Sequence, residues 1–215
     1  MKLKNEFITL TPATRVYGLK IPVIALTGGI ASGKSTVVKY LQSKKITTIC
    51  ADELVKIIYQ KPASLTFIKS HFPQVIIDSG NKIDFVQLRD LAFNDNNILN
   101  TLQNFIYSQM EEAFKEQLKK LSNPEFILYD IPLLFENKLD KYFDLNILIY
   151  CPEEVQLKRL TSRDNIDEKL ALKMIKKQMP IETKKSLAKF IINNSGDLNT
   201  THQEIDKLIE VLCLP

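Results

Sequence analysis

The chain has 215 residues, 45% hydrophobic and 25% charged, with a formal net charge of +4. That profile fits a soluble globular fold of one domain, or one domain with an appended lobe. No apolar run approaches the roughly 20 residues of a membrane-spanning helix. Cys50, Cys151 and Cys213 are far apart and, with only His71 and His202 beside them, lack metal-ligand spacing. This argues against a disulfide scaffold or a structural zinc site and fits a reducing compartment.

Residues 1–20 mix polar and apolar positions without a long apolar stretch or a small-residue cleavage site, so they predict a leader to the fold rather than a secretory signal, and a cytoplasmic protein. Five short runs rich in β-branched or aromatic residues follow: Val23–Leu26, Ile46–Ile49, Phe126–Tyr129, Leu145–Tyr150 and Phe190–Ile192. Continuous apolar runs read as strands buried on both faces, and their alternation with helical patterns predicts an α/β fold with a parallel five-stranded sheet.

About 75 residues separate the second run from the third, far more than one crossover helix needs. This interval predicts helices from Asp52, around Ala63–Phe72 and from about Asp95 to Leu121, with a turn at Asp78-Ser79-Gly80-Asn81. It reads as an inserted helical lobe, about 53–121. A second helical insertion, about 152–187, leaves a core of about 21–52, 122–151 and 188–215. Between Lys158 and Lys189 ten Lys/Arg stand against four Asp/Glu, which suits an anionic ligand or a solvated helical face.

The segment Gly28-Gly29-Ile30-Ala31-Ser32-Gly33-Lys34-Ser35-Thr36 matches Gly-x4-Gly-Lys-Ser/Thr, follows an apolar strand and opens a helical pattern at Val37, Val38 and Leu41. That context identifies a phosphate-binding loop. Its glycines let backbone N–H groups crowd around an anion, and the helix beginning near Gly33 aims its positive end at the same place. Lys34 supplies a charge for the β- and γ-phosphates of ATP, and the Ser35 hydroxyl is a candidate ligand for nucleotide-bound Mg²⁺. The Asn-Lys-x-Asp base-reading motif of GTPases is absent from the sequence, and the helical insertions could enclose an acceptor; both favour a small-molecule kinase.

Asp52 stands just beyond the second strand, where it could receive the proton of an attacking hydroxyl or simply cap the following helix. Asp130 ends the third strand, as an acid holding a metal-bound water would, or as a cap of the turn before Pro132. Arg159 and Arg163, one helical turn apart, could neutralise charge on a transferred phosphoryl group or lie on an exposed face.

Residues 21 to about 200 resemble the dephospho-CoA kinases. The resemblance rests on Val23–Thr36, Ala51-Asp52, Asp130-Ile131-Pro132-Leu133-Leu134-Phe135-Glu136, Gln156-Leu157 with Arg159-Leu160 and Arg163-Asp164, Gln178, and Ile192-Asn193-Asn194 with Gly196. It implies ATP-dependent phosphorylation of the ribose 3′-hydroxyl of dephospho-CoA, with the first insertion as substrate lobe and the second as lid. It further implies Lys34, Asp52 and Arg163 as catalytic residues. ATP would be held by Gly28, Gly29, Ala31, Ser32, Gly33, Lys34, Ser35, Thr36, Arg159, Arg163 and Asn194. The acceptor would meet Asp52, Arg89, Pro132, Leu133 and Glu136. The partners are two small molecules, ATP and dephospho-CoA, with no nucleic acid or membrane. The chain departs from the family pattern at Cys50, where an acid is usual, at Asp84-Phe85 in place of Asp-Arg, at Asn104-Phe105 in place of His-Pro, and at Lys189.

Overall fold

The computed structural model describes residues 1–78 and 80–214, and the chain divides into two compact units, Met1–Ala51 with Ser122–Pro215, and Asp52–Leu121. In the first unit strands β2 (Val23–Gly28), β3 (Thr48–Cys50), β4 (Ile127–Asp130), β5 (Leu145–Tyr150) and β6 (Phe190–Asn193) form a parallel sheet in the order β3-β4-β2-β5-β6. Every residue of β2 and β4 is buried, because helices cover both faces of the sheet. Side chains alternate across the pleat. Ile24, Leu26, Leu128, Ile147, Ile149 and Ile192 enter one core with Val37 and Leu41 of α1 (Lys34–Ser43) and Ile205 and Leu212 of α9 (Leu198–Leu212). Each such side chain contributes about 1.5–3 kcal/mol by leaving water.

The sheet order sets where a ligand can enter. The chain leaves β2 to one side for β3 and β4, then crosses to β5 on the other side of β2. This places the reversal of strand order at β2, and a crevice opens outside the carboxyl ends of the strands at such a point. The loop after β2 lies there.

Residues 1–21 do more than lead into the fold. β1 (Lys2–Leu3) pairs antiparallel with β7 (Cys213–Leu214), and Leu3 and Cys213 both enter the main core. Arg15 is buried against Asp144, whose carboxylate accepts five hydrogen bonds, from the N–H groups of Thr9, Leu10 and Val23 and from Nε and Nη2 of Arg15. The segment is polar enough to look detachable, but Leu3, Arg15 and Leu19 are buried.

The second unit is helical: α2 (Ala51–Gln60), α3 (Pro62–His71), α4 (Phe85–Asn94) and α5 (Asn96–Lys119). Its own core gathers Ile68, Phe72, Val75, Ile83, Leu88 and Leu102. Asp84 and Asp95 cap α4 and α5 by accepting from the N–H groups of Val86 and Gln87, and of Asn97 and Ile98. In the expected turn before α4, Asp78 Oδ1 accepts from the N–H groups of Gly80 and Lys82, each at 2.8 Å; Ser79 of that turn lies outside the described residues. Two residues at the departures make aromatic contacts. Phe85 meets Tyr59 edge-on at 5.1 Å, and Phe105 stacks on Phe67 at 4.0 Å.

The second insertion folds as α6 (Glu153–Asp164), α7 (Glu168–Lys176) and α8 (Ile181–Leu187) within the first unit. Leu160, Ala171 and Ile175 make a small core against which Ile30 and Ala31 of the loop pack.

Candidate functional site

The loop from Gly28 to Lys34 is a set of backbone donors held open. Ala31 and Gly33 have positive φ, 56° and 86°, which reverses the chain so that successive N–H groups point inward. Ser32 N–H closes the turn onto Gly29 O at 3.1 Å, whereas the N–H groups of Ala31, Gly33, Lys34 and Ser35 find no acceptor among the described residues. The last three are the orphan donors of the helix α1 N-terminus, where the helix dipole also favours an anion.

Two glycines are fixed by close approach. A Cβ on Gly33 would lie 2.0 Å from Nδ2 of Asn194, and one on Gly29 would lie 2.6 Å from Oε1 of Gln156. Both neighbours are buried amides that brace the loop. Asn194 Nδ2 donates to Ser32 O at 2.7 Å while its Oδ1 accepts from Thr201, and Gln156 Nε2 donates to Cys151 O at 3.0 Å. Gln178 Oε1 accepts from Ile30 N–H at 2.8 Å, so that donor serves the loop's own shape.

Lys34 is ion-paired with Asp130, whose side chain is 6% exposed at the end of β4. Ser35 and Thr36 sit exposed on the first turn of α1. Arg159 reaches the same place from α6: its Nη1 is buried without a hydrogen-bond partner among the described residues, 3.7 Å from where a Gly33 Cβ would be. Burial pushes the Cys151 thiol pKa up, and the nearby Arg159 guanidinium opposes that shift. Ser32 Oγ is a second buried polar atom without a partner. Unpaired backbone donors, an unpaired guanidinium nitrogen and an ammonium held by one carboxylate together fit a polyphosphate.

Arg163 is exposed in the last turn of α6, with Nε and Nη2 bonded to Asp164 at 2.7 and 2.9 Å. That pairing raises the arginine pKa and lowers the carboxyl pKa. Pro132 accepts a hydrogen bond from the Thr27 hydroxyl at 3.1 Å, and Leu133 is 39% exposed in the turn after β4. Glu136, expected at the acceptor, is half-buried, with one oxygen engaged within the protein. Its Oε1 lies 2.7 Å from Lys184 Nζ and accepts from Met179 N–H at 3.0 Å, and its Oε2 is buried. That second oxygen has no hydrogen-bond partner among the described residues.

Asp52 is the first residue of the second unit, two positions after β3. It lies inside the first turn of α2, which begins at Ala51, so it is not the residue that caps that helix; its side chain is exposed with no hydrogen bond among the described residues. Arg89, on α4, lines an open groove of about 270 Å³ with Tyr59, Phe85, Ala92, Leu99 and Tyr107.

Gln156, Gln178 and Lys184 are not among the residues expected at the site. Gln156 carried a signal, since it shares the buried stripe of α6 with Leu160 four residues on.

The family model for dephospho-CoA kinase matches residues 22–200. A dephospho-CoA kinase from Fusobacterium nucleatum is 36% identical over 90% of this chain and all of its own length. One from Carboxydothermus hydrogenoformans is 35% identical over 89% of this chain and 95% of its own. Among solved structures, a Thermus thermophilus protein superposes with a TM-score of 0.79 at 26% identity, covering 90% of this chain and 99% of that one. The dephospho-CoA kinase from Campylobacter jejuni gives 0.65 at 28% identity, covering 87% and 95%. With its phosphate loop, parallel sheet and inserted helices matched along nearly the whole length of these relatives, the chain belongs to the dephospho-CoA kinase family.

Proposed function

We propose that the chain transfers the γ-phosphoryl group of ATP to the ribose 3′-hydroxyl of dephospho-CoA, giving coenzyme A and ADP, the last step of coenzyme A formation. The observation that carries this reading is the loop itself: orphan N–H groups at the start of α1, Lys34 at its mouth and the unpartnered Arg159 Nη1 beside Gly33 converge in a chain of this family.

In this reading Gly28, Gly29, Ala31, Ser32, Gly33 and Thr36 shape or face the phosphate cradle, and Asn194 borders the adenine end. Lys34 and Arg159 neutralise the phosphates, and Arg163 gives up Asp164 to stabilise charge on the moving group. Asp52 receives the proton of the 3′-hydroxyl as its oxygen attacks phosphorus, while the bridging oxygen leaves with ADP. Arg89, Pro132 and Leu133 contact the acceptor.

Among the described residues no three His, Cys, Asp or Glu side chains converge as a metal cage. In this reading the metal arrives with the nucleotide, and the Ser35 hydroxyl, with Asp130 through water, would suit Mg²⁺, which takes few protein oxygens. When bound, Mg²⁺ supplies charge neutralisation across the β- and γ-phosphates. Among the described residues no helix is long and apolar enough to cross a membrane. Cys50, Cys151 and Cys213 are free thiols, which suits a reducing compartment, and in this reading the enzyme is cytoplasmic.

The test is acceptor choice. Purified protein with ATP and Mg²⁺ is offered dephospho-CoA, pantetheine or adenosine in turn, and products are read by mass spectrometry. Coenzyme A formed at an enzymatic rate from dephospho-CoA alone supports the reading, whereas turnover confined to another acceptor overturns it.

A further inference from the structure

We infer that Lys184 is a positioning residue of the phosphate loop, with Glu136 as its counter-ion; the inference rests on the nucleotide-binding reading above and deepens it. Lys184 lies in the most basic part of the chain, yet it is 0% exposed, because α8 turns Ile181 and Lys184 onto one buried face. A buried ammonium needs partners, and two are present. Its Nζ lies 2.7 Å from Glu136 Oε1 and donates to Gly28 O at 3.4 Å.

The second partner is the main chain of the first loop residue. The loop is thus held at three backbone atoms by side chains from one stretch of sequence: Gly28 O by Lys184, Ile30 N–H by Gln178 and Ser32 O by Asn194. Gln178 and Asn194 are neutral. Lys184 alone also ties the loop to the turn after β4, since Glu136 belongs to that turn and takes a hydrogen bond from Met179 N–H as well. Removing the ammonium loosens Gly28 and strands a half-buried carboxylate close to a loop that must accept a polyanion, so both consequences act against ATP.

The experiment compares wild type, Lys184→Met and Lys184→Met/Glu136→Met, with folding checked by circular dichroism and Mg-ATP affinity read by calorimetry. In folded Lys184→Met the Mg-ATP Kd rises about 10- to 100-fold, the scale on which loss of an outer orienting group acts. The KM for dephospho-CoA stays near the wild-type value. The double variant recovers part of the lost affinity because no charge is stranded. A purely structural role would lower the melting temperature and leave the Kd of the folded protein unchanged, and that result overturns the inference. So does a double variant no better than the single one. Should Lys184→Met not fold, the double variant is compared with wild type: weakened binding supports the inference and unchanged binding sinks it. If wild type itself fails to bind Mg-ATP, the nucleotide reading falls first; if wild type binds and the variant matches it, only the role of Lys184 falls.

Discussion

The ammonium of Lys34 and the carboxylate of Asp130 form an ion pair between the start of the helix that follows the phosphate loop and the carboxyl end of β4, the neighbour of β2. Each has a second use in the proposed reaction, Lys34 on the phosphates and Asp130 toward a metal-bound water. Asp130→Asn releases Lys34 from its competitor, so metal-free ATP binds about tenfold tighter by calorimetry, while kcat with Mg²⁺ falls. Lys34→Ala lowers kcat about 10²- to 10³-fold, the cost of removing one preorganised donor from a developing charge.

The two arginines of α6 separate into binding and turnover. Arg159 brings a buried, unpaired Nη1 to the loop, whereas Arg163 is exposed and already satisfied by Asp164. Arg159→Ala raises the Mg-ATP Kd about 10- to 100-fold, the worth of a hydrogen bond to a charged group. Arg163→Ala leaves that Kd near wild type and lowers kcat about tenfold or more. Calorimetry and steady-state rates on the same preparations read both.

Asp52 lies inside the first turn of α2 with its carboxylate exposed, so its removal sacrifices no hydrogen bond among the described residues. Asp52→Asn lowers kcat about 10²- to 10⁴-fold, the usual contribution of a general base, with melting temperature and Mg-ATP affinity unchanged. Near-normal turnover in this variant removes Asp52 from the chemistry.

The buried pair of Arg15 and Asp144 makes the leader part of the fold. Their side chains are 2% and 0% exposed, and Asp144→Ala strands the guanidinium. The expected loss is about 3–5 kcal/mol of stability, read by urea unfolding.

The strands could be read from the sequence because a sheet buried on both faces writes uninterrupted apolar runs, and Val23–Leu26 and Leu145–Tyr150 fall within β2 and β5 as observed. The phosphate loop was legible because its backbone geometry demands particular residues at Gly29 and Gly33. Less visible were groups whose role depends on which way one side chain turns. Lys184 and Lys185 are adjacent, but one is buried on Glu136 and the other lies over the Tyr150 ring. Composition gives both the same basic face. Glu136 was legible only in part for a related reason: a motif marks its position but not its counter-ion. The helix Phe85–Asn94 was not expected at all, although Asp84 three residues before Gln87 offered a cap signal.

Transfer of label from γ-labelled ATP into dephospho-CoA, with the product's phosphate located by NMR, tests the central claim most directly. The account predicts one labelled phosphate on the ribose 3′-oxygen, formed only with an intact Lys34. Label appearing solely as inorganic phosphate, or on any other oxygen of the acceptor, would contradict it.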